Sequence, residues 1–295
     1  MTLLSPSLLR GWPLPQHDEG GDKEGRGRIF VVGGSREIVG AILLASLASL
    51  RAGAGQLKIA TAASVAPHLS IAVPEAWVMP LPETASGGFD PACADELAEN
   101  ANNANAVLFG PGMMDGDATN ALLHAVLPQV TKPTLILDAA SLACLGGAPE
   151  LLHSLGGNVI VTPHAGEMAS ILGRDKAEVK ADPLGAALEA ASKLQAVVAM
   201  KGSETYVAAP DGRVYLNRYG CVGLATSGSG DTLAGIIAGL AARGADPVQA
   251  TVVGVYLHAR AGDVLARRVG PLGFLARELL AEIPALMHGL DAPKK

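Results

Sequence analysis

The stretch Ile29-Phe30-Val31-Val32-Gly33-Gly34-Ser35 sets the pattern for most of the chain. Four apolar residues in a row, followed at once by two glycines and a serine, are typical of a short buried strand that ends in a tight turn. Residues 40–52 continue as an apolar helix, which Gly53 or Gly55 would close. Strand, turn and helix in this order predict one unit of an α/β fold.

The same alternation repeats towards the carboxyl terminus. Further strands are predicted over residues 57–61, 105–109, 134–137, 158–161 and 196–200. Helices are predicted between most of them, over about 90–101, 117–128, 141–155, 164–172 and 183–194. Residues 205–209 and 213–217 flank Pro210-Asp211-Gly212 as a hairpin, and only helices follow, over about 230–243, 247–268 and 274–288. We therefore expect a mostly parallel sheet covered on both faces, with an antiparallel hairpin at its edge.

Composition divides the chain into two unequal parts and excludes some partners. Residues 1–27 are polar and rich in glycine and proline, so we expect a flexible N-terminal arm before a single catalytic domain over residues 28–295. The formal net charge is −6 and no basic run occurs, which argues against nucleic-acid binding. No signal peptide is recognisable, and the longest apolar run, residues 41–50, is too short to span a membrane. Three scattered cysteines suit a reducing compartment, so we expect a soluble, cytoplasmic protein.

The most suggestive motif is Thr226-Ser227-Gly228-Ser229-Gly230-Asp231, which opens an apolar helix. Small residues leave backbone amides free to point at one spot, and the helix adds its positive end, so a phosphate would be stabilised there. Asp231 in the first turn could take a proton from a substrate hydroxyl. The alternative is that Ser227, Ser229 or Asp231 merely caps the helix.

Polar side chains at other strand ends would face the same rim, because ligands of parallel sheets bind beyond the carboxyl ends of the strands. His164 is either a neutral donor or stacking group for a ligand, or the start of a capping box that Glu167 completes. Lys201 either meets a phosphate or is solvated. Asp138 either helps to hold a metal or hydroxyl, or caps a helix, and Glu167 could orient a metal-bound water.

Taken in order, these motifs resemble the ADP-dependent NAD(P)H-hydrate dehydratases, a branch of the ribokinase-like fold. The resemblance runs from about Gly25 to the carboxyl terminus. The matching stretches are Val32-Gly33-Gly34-Ser35, Gly40-Ala41, Arg51 to Gly55, Gly110-Pro111-Gly112, Leu137-Asp138-Ala139, Thr162 to Glu167, Lys201 to Thr205 and Gly223 to Gly235. This resemblance implies a three-layer α/β/α sandwich.

The resemblance also implies an activity, which is the repair of hydrated NADH or NADPH. ADP would phosphorylate the hydroxyl of the (S)-hydrate and so make it a good leaving group, giving NAD(P)H, AMP and phosphate. Asp231 would be the catalytic base, and Mg²⁺ would bridge the nucleotide phosphates without a dedicated set of protein ligands. The family further implies a homo-oligomer, and an epimerase that would be a separate protein.

Residue by residue, the resemblance assigns two groups of ligand contacts. The damaged dinucleotide would contact Ala41, Gly112, His164 and Asp231. The adenine nucleotide would contact Lys201, Gly202, Ser203, Glu204, Thr205, Gly228, Ser229 and Gly230. The chain departs from the family pattern at Ile38, often Tyr, at Cys221 and Val222, often Asn and Pro, and at Ser227, often Gly.

Two other functions use the same motifs. A ribokinase-like kinase of a small alcohol, such as a vitamin precursor, would share Asp231 and the anion site. A nucleotide-binding regulator that has lost catalysis would share the fold, but the intact Asp231 argues against it. His164, together with residues 33–41, favours the dinucleotide.

Overall fold

The computed structural model describes residues 1–16 and 23–290. The strands of this part are β1 (Thr2–Leu3), β2 (Arg28–Val32), β3 (Gln56–Ala62), β4 (Ala76–Leu81), β5 (Ala106–Phe109), β6 (Thr134–Leu137), β7 (Val159–Val161), β8 (Val197–Met200), β9 (Thr205–Ala208) and β10 (Val214–Asn217). The α-helices are α1 (Pro6–Arg10), α2 (Val39–Arg51), α3 (Ala66–Ala72), α4 (Ala94–Asn102), α5 (Gly116–Val126), α6 (Ala165–Leu172), α7 (Lys176–Ala181), α8 (Pro183–Leu194), α9 (Ser229–Ala242), α10 (Pro247–Arg268) and α11 (Ala276–His288). Short 3₁₀ helices cover Pro91–Cys93, Leu127–Gln129, Ala139–Gly146, Pro149–Leu155 and Val222–Leu224.

All of these strands join one sheet in the order β1-β10-β9-β8-β7-β6-β5-β2-β3-β4. Neighbouring strands are parallel, except that β9 runs antiparallel to both β8 and β10. The predicted parallel sheet with an antiparallel hairpin is therefore confirmed. The hairpin is not the outermost element, because β1 pairs in parallel with β10 outside it.

The core lies in two apolar layers, one on each face of the sheet. Ile29 and Val31 belong to the layer beneath α2, α9, α10 and α11, whereas Phe30 and Val32 belong to the layer beneath α4, α5, α6 and α8. Successive residues of a strand point to opposite faces, so a strand covered on both sides needs an uninterrupted apolar run. The run at residues 29–32 is explained in this way, and the three-layer α/β/α architecture is confirmed.

Several elements differ from the sequence-based prediction. Strand β4 was missed because it is an edge strand with an exposed Trp77 and with Pro80 near its end, so it lacks the apolar run of a central strand. The helix predicted over residues 141–155 is two 3₁₀ helices, separated where Gly146, Gly147 and Pro149 interrupt a continuous helix. Helices α3 and α7 were also not predicted.

The expectation of a flexible N-terminal arm is wrong for residues 2–16, which pack against the domain. The Gln249 side chain donates hydrogen bonds to the carbonyl oxygens of Trp12 and Pro13, and Arg243 donates one to Pro15. The physical reason is a set of apolar side chains that the polar composition of the segment concealed, and that are buried: Leu4, Leu9 and Leu14. Residues 17–22, the most polar part of the predicted arm, lie outside the described residues. A domain boundary at residue 28 stays a prediction.

Across residues 1–16 and 23–290, every helix is too short or too polar to cross a lipid bilayer.

Candidate active site

The carboxyl ends of β6, β7 and β8 bring together the polar groups that the sequence marked. Asp138 follows β6 directly, Thr162 follows β7, and Lys201 follows β8. His164 and Lys201 form an isolated parallel bridge, so these two chain segments are held side by side. The first turn of α9 lies against this rim, with Lys201 Nζ 3.6 Å from the position that a Cβ on Gly230 would take.

Helix α9 begins without a side-chain cap. Its N-cap residue is Gly228 with φ +85°, a conformation that favours glycine, and a Cβ there would overlap Leu44. Within the described residues the N-cap position makes no side-chain hydrogen bond, and the Gly230 amide has no backbone acceptor. The alternative in which Ser227, Ser229 or Asp231 is the N-cap of the helix is therefore wrong, because the N-cap is Gly228. An uncapped helix start with free amides is suited to an anion.

Asp231 lies half-buried in this first turn. The pKa of the Asp231 carboxyl is raised to about 6, chiefly by burial and next by the Asp138 carboxylate, while the Lys201 ammonium lowers it. A carboxyl with a pKa close to neutrality can accept a proton and return it within one reaction cycle. This geometry suits a general base.

Lys201 carries the positive charge of the site. Its Nζ lies 2.9 Å from Asp138 Oδ1 and 3.7 Å from Glu167 Oε2. Burial alone would lower the pKa of Lys201, but the carboxylates of Asp138 and Glu167 outweigh burial and raise the pKa above its usual value. The side chain therefore remains an ammonium at neutral pH and is not a freely solvated lysine.

His164 is the N-cap of α6. Its Nδ1 accepts hydrogen bonds of 3.0 Å from the amides of Gly166 and Glu167, and Glu167 Oε2 accepts one of 2.7 Å from the His164 amide. The capping-box alternative is thus confirmed. Because Nδ1 is an acceptor, the proton of the neutral ring is on Nε2. The exposed imidazole consequently offers a ligand a hydrogen-bond donor.

His258 is a member of the site that sequence reasoning missed. This residue of α10 is buried, and its Nε2 lies 3.0 Å from the Ser229 hydroxyl. Burial lowers the pKa of His258 to about 4, so the ring is neutral at physiological pH. His258 lies in the middle of a long apolar helix and had no neighbour in sequence that indicated a site.

A cavity of about 830 Å³ opens beside these residues. Its walls combine polar groups from the loop after β8 and the start of α9 with apolar groups from α10 and the loop after β10. The predicted site residues among them are His164, Lys201, Gly202, Ser203, Thr205, Ser229 and Gly230. Glu204, Gly228 and Asp231 are not among the residues that line it. The Glu204 carboxylate accepts hydrogen bonds from Arg218 and Tyr206 instead.

The remaining predicted substrate residues lie on a neighbouring part of the rim. Ala41 and Gly112 are in contact with each other, since a Cβ on Gly112 would lie 3.2 Å from that of Ala41 and would overlap the Ile38 carbonyl. The Gly34 amide donates a 2.7 Å hydrogen bond to the Pro111 carbonyl, which joins the two glycine turns. Neither Ala41 nor Gly112 lines the large cavity, so the structure separates them from the nucleotide loop.

Solved structures of similar shape define the class of protein. A ribokinase-like superfamily protein from Enterococcus faecalis aligns with a TM-score of 0.85 and 27% identity, over 99% of this chain and 97% of its own. The ADP/ATP-dependent NAD(P)H-hydrate dehydratase from Bacillus subtilis, co-crystallised with ATP and Mg²⁺, aligns with a TM-score of 0.80 and 28% identity, over 98% of this chain and 99% of its own. The fold is thus ribokinase-like.

Sequence similarity defines the family. Residues 29–285 match the profile described as NAD(P)H-hydrate dehydratase. The ADP-dependent (S)-NAD(P)H-hydrate dehydratase of Xanthomonas campestris is 47% identical over 97% of this chain and 96% of its own length. The chain belongs to the NAD(P)H-hydrate dehydratase family. It spans about half of the bifunctional NAD(P)H-hydrate repair enzyme of Moorella thermoacetica, which is 40% identical over 94% of this chain and 52% of its own length.

Proposed function

We propose that this protein is a hydro-lyase that uses ADP to convert (S)-NAD(P)H hydrate back to NAD(P)H, with release of AMP and phosphate. The observation that carries the proposal is the start of α9, where the free Gly230 amide, the Lys201 ammonium and the Asp231 carboxyl converge. The 47% identical relative, named for this reaction, supports it.

In the proposed reaction Asp231 accepts the proton of the hydroxyl on the hydrated ring. The hydroxyl oxygen forms a bond to the β-phosphorus of ADP, and the bond from that phosphorus to the bridging oxygen breaks to release AMP. The ring then expels phosphate together with the C–O bonding electrons and loses a neighbouring C–H proton, which restores the double bond. The net change is one water removed from the hydrate and consumed in the hydrolysis of ADP.

The residues around the cavity would hold the nucleotide. The Gly230 amide, the positive end of α9 and the Lys201 ammonium stabilise charge on the transferring phosphoryl group. Gly202, Ser203 and Thr205 lie along the same wall. Glu204 would contribute through its backbone, because its carboxylate is held by Arg218.

Mg²⁺ fits this site only as an ion carried by the nucleotide. No group of three or more His, Cys, Asp or Glu in residues 1–16 and 23–290 could hold a metal, and the Lys201 ammonium already neutralises Asp138. Mg²⁺ characteristically keeps several waters and binds through phosphates rather than an all-protein cage. Bound to the phosphates, it would reduce their negative charge, while Lys201 and the α9 amides hold them in place.

The hydrated dinucleotide would bind between the cavity and the glycine turns. His164 offers its Nε2–H to an acceptor atom of the dinucleotide. Ala41 and Gly112 present small surfaces, so the ligand can approach the backbone closely. The hydroxyl to be phosphorylated would then face Asp231.

A coupled assay tests this proposal. Purified protein is mixed with hydrated NADH and either ADP, ATP or no nucleotide, and recovery of NADH absorbance is followed together with AMP formation. We expect NADH to recover with ADP and not without a nucleotide, and the Asp231→Asn protein to fail in the same mixture. Absence of recovery, combined with phosphorylation of small alcohols, would assign the protein to the kinase function instead.

We also propose that the protein works in the cytoplasm, with reduced thiols. The thiols of Cys93 and Cys144 are buried, and burial raises the pKa of Cys93 to about 11 and that of Cys144 to about 12, so neither is a reactive thiolate. A homo-oligomer and a separate epimerase partner stay predictions, which light scattering and co-purification would test.

A further inference from the structure

Asp138 is a buried carboxylate that the proposed reaction leaves unused. Its side chain is 3% exposed, and its Oδ1 accepts hydrogen bonds of 2.6 Å from the Thr162 hydroxyl and 2.9 Å from Lys201 Nζ. Asp138 stands before the 3₁₀ helix Ala139–Gly146, but its side chain does not cap it. The helix-cap alternative for Asp138 is therefore wrong, and the burial of this charge needs another explanation.

Lys201 is the charged partner of the buried Asp138 carboxylate, and its position explains why the carboxylate is there. A lysine ammonium is a point charge on a flexible stem, so its position depends on the groups that hold it. Asp138 provides the shortest of its contacts, at 2.9 Å, whereas Glu167 lies 3.7 Å away and is engaged with the His164 amide. Lys201 is thereby held beside Gly230, at the uncapped start of α9.

We infer that Asp138 is a positioning residue for the reaction: it anchors the Lys201 ammonium at the phosphoryl path and counterbalances its charge next to Asp231. The inference rests on the proposed function for its catalytic consequence. The carboxylates and the ammonium that meet here come from four elements, the ends of β6 and β8 and the starts of α6 and α9: Asp138, Lys201, Glu167 and Asp231.

Electrostatics support the geometric argument. After burial, the Asp138 carboxylate is the largest cause that raises the pKa of Asp231, whereas the Lys201 ammonium lowers it. With Lys201 alone, Asp231 would be a weaker base. Because Asp138 offsets part of the charge of the lysine, the ammonium can bind the phosphate while it lowers the pKa of Asp231 by less.

The test compares Asp138→Asn with wild type and with Asp211→Asn, which removes an exposed charge on the hairpin. Asparagine retains the acceptor for Thr162 and Lys201 but loses the charge. We expect kcat to fall about tenfold, the scale by which a hydrogen bond to a charged group exceeds a neutral one. Loss of the carboxylate also lowers the pKa of Asp231, so the fall of kcat/KM at acid pH should begin about one pH unit lower. Asp211→Asn should change neither. An unchanged acid limb in folded Asp138→Asn protein would overturn the inference.

Lys201→Met tests the same chain of contacts from within the cavity, should Asp138→Asn fail to fold. Loss of the ammonium should move the acid limb to higher pH, opposite to Asp138→Asn, and a merely structural role predicts no such opposition. A shift of the acid limb to lower pH in Lys201→Met, or no shift, would contradict the inference.

A ¹³C NMR titration of the Asp231 carboxyl in the free proteins, assigned with Asp231→Asn, separates this inference from the proposed function. Suppose that the pKa of Asp231 moves in opposite directions in Asp138→Asn and Lys201→Met, but wild-type protein recovers no NADH. The charge coupling would then stand, and the dehydratase function would be rejected. If wild-type protein recovers NADH but the two variants leave the pKa of Asp231 unchanged, the dehydratase function would stand and the positioning role of Asp138 would be rejected.

Discussion

Helices α6 and α9 both begin at the carboxyl-end rim of the sheet, but their first turns are built in opposite ways. The first turn of α6 is closed by a complete capping box between His164 and Glu167. The first turn of α9 begins at Gly228 with no side-chain cap. The sequence before each helix allowed the same two interpretations, a cap or a ligand site.

The difference shows how a protein assigns helix ends to structure or to ligands. In α6 the side chains satisfy the amides, so only the outer edge of the cap, His164 Nε2–H, remains for a ligand. In α9 the Gly230 amide itself remains free, and the helix macrodipole adds positive potential at the same end. The capped end can orient a neutral group, and the uncapped end can stabilise a phosphate.

The largest expected effect is at the uncapped end. Asp231→Asn should lower kcat by about 10²- to 10⁴-fold, because a general base is lost, while the melting temperature and nucleotide affinity change little. Steady-state kinetics and calorimetry with ADP provide the measurements. Wild-type turnover in this variant would remove Asp231 from the mechanism.

Gly228→Ala should have the next largest effect, since it strains the backbone turn that keeps α9 uncapped. A Cβ would overlap Leu44 at a residue with φ +85°, so we expect a loss of about 2–4 kcal/mol in the free energy of unfolding from strain and overpacking together. Gly212→Ala is the matched control, because Gly212 has φ +84° with nothing within 4 Å. Chemical denaturation should give about 1 kcal/mol for the control, and equal losses in the two variants would contradict the packing argument.

The dependence of kcat/KM on pH should follow the ionisation of Asp231 in the first turn of α9. The base must be deprotonated, and the pKa of Asp231 is raised to about 6, chiefly by burial. We therefore expect kcat/KM to fall about tenfold per pH unit below this value and to be level just above it. Activity that is constant down to pH 4.5 would show that the free enzyme holds Asp231 ionised.

The smallest effect is expected at the capped end. His164→Ala should cost about 1 kcal/mol of stability through loss of the cap and should also raise the KM for the hydrated dinucleotide through loss of the Nε2–H donor. His164→Asn retains a cap acceptor and so isolates the second effect. If both variants keep the wild-type KM, His164 serves the helix alone.

Much of the architecture could be predicted because its signals are local. The run at residues 29–32 predicts a strand buried on both faces, and the Pro210-Asp211-Gly212 turn predicts the hairpin. Strand β4 gave no such signal, since an edge strand does not need the apolar run.

The site was predictable only as a set of candidates. Strand-end positions marked Asp138, His164 and Lys201, but which side chain caps a helix and which faces a cavity depends on contacts between distant segments. His258 is hydrogen-bonded to Ser229, 29 positions away in sequence, and no local sequence pattern predicts that contact.

The short strand β1 ties the beginning of the chain to a part of the protein that is synthesised much later. Thr2 and Leu3 pair with Tyr215 and Leu216, and the residues after α1 are held by Arg243 and Gln249. Residues 2–16 leave the ribosome long before Arg243 and Gln249, so their docking place is complete only after the start of α10 has emerged. Residues 2–16 can therefore dock only after most of the domain has been synthesised, and β1 then extends the sheet edge beside the hairpin.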